Sequence, residues 1–205
     1  MAALLIDGPE TASKSFLFAH GAGAPMDSPF MQRVAEGVAR AGVRVIRFEF
    51  PYMQRRRETG KRGAPDPPSV LMQSMRDVID ELGGGARLVI GGKSLGGRIA
   101  SMAADEAAVL GLVCLGYPFH PPGKPEKTRT SHLEHLRTPA LIVQGTRDSF
   151  GRPDDVAAYK LSPAIRLQWL EDGDHSFKPR ARSGRTEAAN LDAAIALVAD
   201  FIAAS

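Results

Sequence analysis

One stretch constrains this chain more than any other: Arg87-Leu-Val-Ile-Gly-Gly-Lys-Ser-Leu-Gly-Gly-Arg-Ile-Ala100. Leu88 to Ile90 form a short apolar run that reads as a buried strand, and Leu95, Ile99 and Met102 then recur at helical spacing. Between them lies Gly92-Lys93-Ser94-Leu95-Gly96, the G-x-S-x-G pattern of a strand-to-helix elbow that presents a serine. A chain reversing from strand to helix this abruptly brings backbones so close that a Cβ at either flank would clash. Ser94 is therefore expected at the carboxyl end of its strand with its hydroxyl outward. The helix behind it offers positive potential to a developing oxyanion.

The rest of the chain supplies an architecture for that elbow. The strand-like runs at Ser15 to Ala19, Val43 to Phe48, Val109 to Leu115, Ala140 to Val143 and Ile165 to Leu170 are mostly continuous rather than alternating, the mark of parallel strands covered on both faces. Ala3 to Ile6 adds a short edge strand. Helical patterns fall between them. Ser28-Pro29 opens one that runs to Gly42, and Asp66-Pro67 opens another with Leu71, Met75, Val78 and Leu82 on one face. Pro153 to Leu161 suggests a further helix, and Leu191, Ile195, Val198 and Ile202 form the apolar stripe of the last. Strands and helices alternating in this way predict a doubly wound, mostly parallel α/β sheet of about six or seven strands, with residues 1–205 as a single domain.

In such sheets chemistry collects at the carboxyl ends of the strands. After Ser15 to Ala19 comes His20-Gly21-Ala22-Gly23, whose backbone N–H groups suit a substrate oxygen. Gly145-Thr146-Arg147-Asp148 follows the penultimate strand, and His175 follows the last one. A serine hydroxyl needs a base within hydrogen-bond reach, and of five histidines only His175 sits between the final strand and the final helix. Asp148 is the favoured acid to fix its tautomer. Asp172 and Asp174 are the alternatives, with turn formation as their ordinary use. His20 is expected to orient its loop and to border the substrate, His120 to line the pocket, and His132 and His135 to lie on an exposed short helix. Tyr117, Phe119 and Phe177 are candidates for an apolar wall.

These stretches, with Arg47-Phe-Glu-Phe-Pro-Tyr52 and Gly116-Tyr-Pro-Phe119, resemble the dienelactone-hydrolase-like group of small serine α/β-hydrolases. Within it, the chain is most similar to a bacterial family grouped with a eukaryotic chromatin-complex subunit (of the non-specific-lethal complex) and a testis-expressed hydrolase-like protein. The resemblance implies the α/β-hydrolase fold, with Ser94 as nucleophile, Asp148 as acid, His175 as base, and Ala22 and Leu95 as oxyanion-hole donors. It implies no cofactor and no metal. Dienelactone hydrolases proper carry cysteine where Ser94 stands, which argues against dienelactone as substrate. The connection from Leu115 to Ala140 is too short for a cap domain. The expected activity is hydrolysis of a small-molecule ester or thioester; the contrasting expectation is a scaffold on a hydrolase fold without turnover.

Composition narrows the setting. One cysteine permits no internal disulfide, and Cys114 lies within an apolar run where a buried thiol is expected. The amino terminus lacks the pattern of a signal peptide and no apolar run is long enough to span a bilayer, so a cytoplasmic protein without a membrane partner is expected. A net charge of +3 permits an anionic ligand without demanding nucleic acid. Arg55 to Arg57 with Lys61 and Arg62 read as a basic loop, and Lys178, Arg180, Arg182 and Arg185 as a second basic stretch. Both could border the catalytic mouth and steer an anionic substrate.

Overall fold

The computed structural model describes residues 3–205. Seven strands form one sheet: β1 (Leu4–Asp7), β2 (Ser15–Ala19), β3 (Arg44–Phe48), β4 (Leu88–Lys93), β5 (Gly111–Leu115), β6 (Ala140–Gly145) and β7 (Ile165–Leu170). Their spatial order is β1-β3-β2-β4-β5-β6-β7. All pairs are parallel except β1 with β3, so the antiparallel strand lies at an edge. The elbow strand β4 occupies the centre, with β2 on one side and β5 on the other.

The strands inside the sheet divide their side chains between two cores. Leu17, Ile46, Ile90, Leu112, Cys114 and Ile142 face one layer, built by α2 (Pro51–Thr59), α3 (Pro68–Glu81) and α4 (Leu95–Ala103). Phe16, Phe18, Val45, Val89, Val113 and Val143 face the other, built by α1 (Pro29–Arg40) and α6 (Glu187–Ala204). Burial on both faces is why central strands such as β4, β5 and β6 read as near-continuous apolar runs. A short helix, α5 (Pro153–Ala157), precedes β7 and ends earlier than its sequence pattern suggests.

Two boundaries shift for physical reasons. Val109 and Leu110 precede β5 because Ala108 turns the chain through a positive φ of 49°. The basic segment expected as a loop is largely helix α2, which carries Arg55, Arg56 and Arg57. Proline at its first turn and Gly60 in the left-handed region at its end (φ 70°) are ordinary helix punctuation. Only Tyr52 and Met53 of α2 are buried, so it lacks the apolar stripe by which a helix is recognised. Residues 116–139, joining β5 to β6, hold a single 3₁₀ turn at Ser131–Glu134 and no cap layer.

Glycine in β4 is dictated by packing. A Cβ on Gly91 would run into the Val113 carbonyl of β5 and the Phe16 ring, whereas one on Gly23 would meet open space. Gly91→Ala is accordingly expected to cost about 3 kcal/mol. That lowers the melting temperature by about 6 to 12 °C. Gly23→Ala should change stability by about 0.5 kcal/mol or less in the same thermal melts.

Candidate active site

At the carboxyl end of β4, Ser94 takes φ 51° and ψ −110°, a conformation a side chain rarely adopts. Its N–H donates to the Leu115 carbonyl of β5 at 3.0 Å, pinning the turn to the neighbouring strand. Glycines on both flanks are sterically required: a Cβ on Gly92 or Gly96 would strike the Ala19 carbonyl. Within the elbow the strain thus falls on one serine, whose hydroxyl is held clear of its own backbone.

His175 meets that hydroxyl. Its Nε2 lies 2.9 Å from Ser94 Oγ, and its Nδ1 lies 2.8 Å from Asp148 Oδ2. The Asp148 side chain is fully buried while His175 is a quarter exposed. A buried carboxylate must be supplied with donors. Gln144 Nε2 donates to Oδ2 at 2.8 Å and the Phe150 N–H donates to Oδ1 at 2.9 Å. The structure therefore brings Ser94, His175 and Asp148 into one hydrogen-bonded chain. Asp172 and Asp174 stay out of it. Asp172 binds the Arg180 guanidinium and N–H, while Asp174 accepts from the backbone N–H groups of Ser176 and Lys178.

The loop after β2 faces the serine. His20 is fully buried, and the Phe50 N–H donates to its Nε2 at 3.1 Å. The proton is therefore on Nδ1, which donates to the Gly21 carbonyl at 2.7 Å. Burial lowers the His20 pKa, in keeping with this neutral tautomer. Tyr52 Oη donates to the same carbonyl at 3.2 Å. In a trans peptide the N–H points opposite to the C=O. Ala22 N–H is thereby turned away from His20 and Tyr52, on the side of the cleft that Ala22 lines. Leu95 occupies the first position of α4, so its N–H has no acceptor within the helix.

A cleft of about 300 Å³ opens over Ser94, lined by Gly21 to Ala24, Phe30, Met31, Lys93, Phe150 and His175 among others. Its apolar walls are Phe30 and Phe150, the latter 4.4 Å from the His175 ring. Tyr117, Phe119 and Phe177 do not form that wall. All three are fully buried, with Tyr117 Oη donating to the Arg129 carbonyl and Phe177 packed behind Phe30. His120 is also buried and borders a separate hollow with Asp155 and Arg152, and His20 lies beneath its loop rather than in the cleft. A larger hollow of about 520 Å³ sits between α2 and α3 and contains no serine–histidine pair.

Three arginines of the basic stretches expected at the mouth are paired with carboxylates, while Arg56 donates to the Gly23 carbonyl at the cleft's rim. Arg55 pairs with Asp66, Arg57 bridges Glu49 and Asp27, and Arg180 pairs with Asp172. None of these arginines lines the cleft. His132, expected on an exposed helix, is half-buried on the 3₁₀ turn, with its Nε2 2.8 Å from Ser101 Oγ. That pair has no carboxylate behind the ring. Cys114 is buried, which pushes its thiol pKa up.

These features establish geometry; the fold's relatives establish kinship. The chain matches the α/β hydrolase domain family over residues 12–203. It belongs to that family. Among solved structures it resembles a dienelactone hydrolase from Anabaena variabilis, with TM-score 0.75, 23% identity, and coverage of 98% of this chain and 90% of that one. An α/β serine hydrolase homologue from Coxiella burnetii gives TM-score 0.71 and 17% identity, covering 97% and 90%. A lidless α/β serine hydrolase from Xanthomonas campestris gives 0.67 and 19%, covering 94% and 85%. Likeness at these identities speaks for the fold. Among the described residues of this hydrolase, no helix is long and apolar enough to cross a membrane, and no group of three or more histidine, cysteine or carboxylate side chains converges as metal ligands do.

Sequence reasoning passed over Gln144, Phe150, Phe30 and Lys93 as site residues. Lys93 was adjacent to the serine and still carried no signal, since a lysine at a strand end reads as exposed. Here it is nine-tenths buried, donates to the His175 carbonyl at 2.7 Å and lies 5.6 Å from the Phe30 ring centre. Desolvation lowers its pKa from 10.5 to about 8, against the pull of Asp148 and Asp174. Because the unfolded chain binds the extra proton between these values, stability is expected to rise with pH from about 8 to 10.5. The gain is up to about 3 kcal/mol. Urea melts across that range should show it, and Lys93→Met should flatten it.

Proposed function

We propose that this hydrolase cleaves a small carboxylic ester or thioester through an acyl-enzyme on Ser94. One observation carries the reading: the Ser94–His175–Asp148 chain, with both nitrogens of one imidazole engaged at hydrogen-bond distance. Neutral His175 takes the Ser94 proton at Nε2 as Oγ attacks the acyl carbon, and Asp148 stabilises the resulting imidazolium through Nδ1. The carbonyl oxygen becomes an oxyanion held by the N–H groups of Ala22 and Leu95. His175 then gives its proton to the leaving alcohol or thiol. Water enters by the same route in reverse, regenerates the serine and releases the acid.

A scaffold on this fold has no use for a buried carboxylate seated behind a histidine, which supports turnover over binding alone. Residues 1–205 act as one hydrolase domain in this reading, working in the cytoplasm. Its motifs favour the dienelactone-hydrolase-like group, and within it the bacterial family grouped with the chromatin-complex subunit and the testis-expressed protein. Substrate size follows from the cleft. It is open and of modest volume, with Phe30 and Phe150 as its main apolar surfaces. Each buried methylene is worth about 0.8 kcal/mol, so a tunnel would reward chain length steeply and this cleft rewards it little.

With a series of 4-nitrophenyl esters, efficiency should peak at acetate to butyrate and stay flat or fall beyond. A steep rise to decanoate would contradict this. Asp148→Asn should lower kcat on the order of 10⁴-fold by forcing the wrong imidazole tautomer. Asp174→Asn, which touches only backbone N–H groups, should cost about tenfold or less. Equal losses in the two variants would overturn the assignment of the acid.

A further inference from the structure

One polar cluster is left over. Beyond the elbow, α4 carries Arg98, whose N–H donates to the Ser94 carbonyl at 3.0 Å, one helical turn from the serine. Against this stretch of α4 folds the connection between β5 and β6, bringing Arg129, His132 and Tyr117. Some arginines pair with a carboxylate, as Arg47 does with Asp7 and Arg57 with Glu49. Arg98 and Arg129 have none, although both are half-buried. Arg98 Nε is buried without a hydrogen-bond partner. Burial and the neighbouring Arg98 hold the Arg129 guanidinium below the ordinary arginine value, and no carboxylate offsets them.

The hydrogen bonds within the cluster fix what His132 can do. Ser101 Oγ donates to the Arg98 carbonyl at 2.7 Å, and Tyr117 Oη donates to the Arg129 carbonyl at 2.9 Å. Each hydroxyl has one proton, and both are committed. His132 Nε2, 2.8 Å from Ser101 Oγ and 3.5 Å from Tyr117 Oη, must therefore be the donor. That leaves Nδ1 as a lone pair with no partner among the described residues. Burial and Arg98 keep this ring neutral by lowering its pKa. An arriving anion reverses that balance and makes Nδ1 a third donor.

We propose that Arg98, Arg129 and His132 form a binding site for an oxyanion, a phosphate or carboxylate group, beside Ser94. Two guanidinium groups held together without a counter-charge repel one another and lose solvation, and a ligand with two or three acceptor oxygens relieves both. The hydrogen bonds that gather Arg98, Ser101, Tyr117, Arg129 and His132 carry the site. Its use as a handle for an anionic substrate rests on the hydrolase reading above, and it moves the expected anionic preference from the surface arginines of α2 to this cluster on α4 and the β5–β6 connection.

The direct test is calorimetric titration with inorganic phosphate at low ionic strength, with potassium chloride matched for ionic strength as the control. Wild-type protein should bind phosphate saturably, and Arg98→Gln and Arg129→Gln should each weaken binding by roughly tenfold or more, the scale of one charged hydrogen bond. Arg98→Lys, which keeps the charge, should retain part of the affinity. The His132 imidazole resonances should move toward the protonated form as phosphate is added. Phosphate that binds no better than chloride, or that binds both glutamine variants as tightly as wild type, overturns the proposal. A carboxylate-bearing ester favoured over its neutral isostere in wild type, with the preference lost in both variants, identifies the anion as part of the substrate. Phosphate binding with no such preference upholds the site with a free anion as its ligand. Phosphate binding in a protein that hydrolyses no ester would uphold the site while removing the hydrolase reading.

Discussion

The backbone of Ser94 is the constraint on which the rest of this structure depends. A serine at φ 51° carries a strain of about 1 to 3 kcal/mol, and persists only where its surroundings allow no alternative. Here β4 is fixed on both sides by β2 and β5, the Ser94 N–H is tied to β5, and Gly92 and Gly96 let the Ala19 carbonyl press against the turn. Two apolar layers hold that central strand in place. The energy that seats the serine comes from the whole sheet, which is why a small domain can present one hydroxyl so rigidly.

Around that hydroxyl, polar groups are placed by burial rather than by charge pairing. Asp148 is held by an amide, a backbone N–H and an imidazole, none of which is a fixed cation. Gln144 is itself fully buried and spends its NH₂ group on Asp148 and on the Tyr117 and Gly151 carbonyls. Lys93 supplies the one ammonium nearby, and it binds the His175 main chain rather than the acid. A carboxylate without a salt-bridged arginine stays responsive to the imidazole in front of it, as the proposed acid role requires.

Much of this was legible in the chain, and the exceptions have causes. The elbow, the strand order of serine, acid and histidine, and the two-faced strands are local patterns, so Ser94, Asp148 and His175 could be named before any geometry. Helix α2 was not legible because its surface is almost entirely charged and only Tyr52 and Met53 face the core. The aromatic wall was misplaced because direction is not written in proximity along the chain. Tyr117 and Phe119 follow β5 closely, yet Gly116 at φ 65° turns them into the interior. Phe30 comes from α1 and Phe150 from the loop after β6, and only the folded sheet brings them to the serine. The pairing of Arg57 with Asp27 likewise joins residues well separated in sequence.

The central claim is that Ser94 carries the acyl group. Exposure of the wild-type protein to a fluorophosphonate, followed by peptide mapping in a mass spectrometer, tests it most directly. The adduct is expected on the peptide containing Ser94, on Ser94 itself, and absent from a folded Ser94→Ala variant. An adduct on Ser101, or one that persists in the alanine variant, would contradict the account.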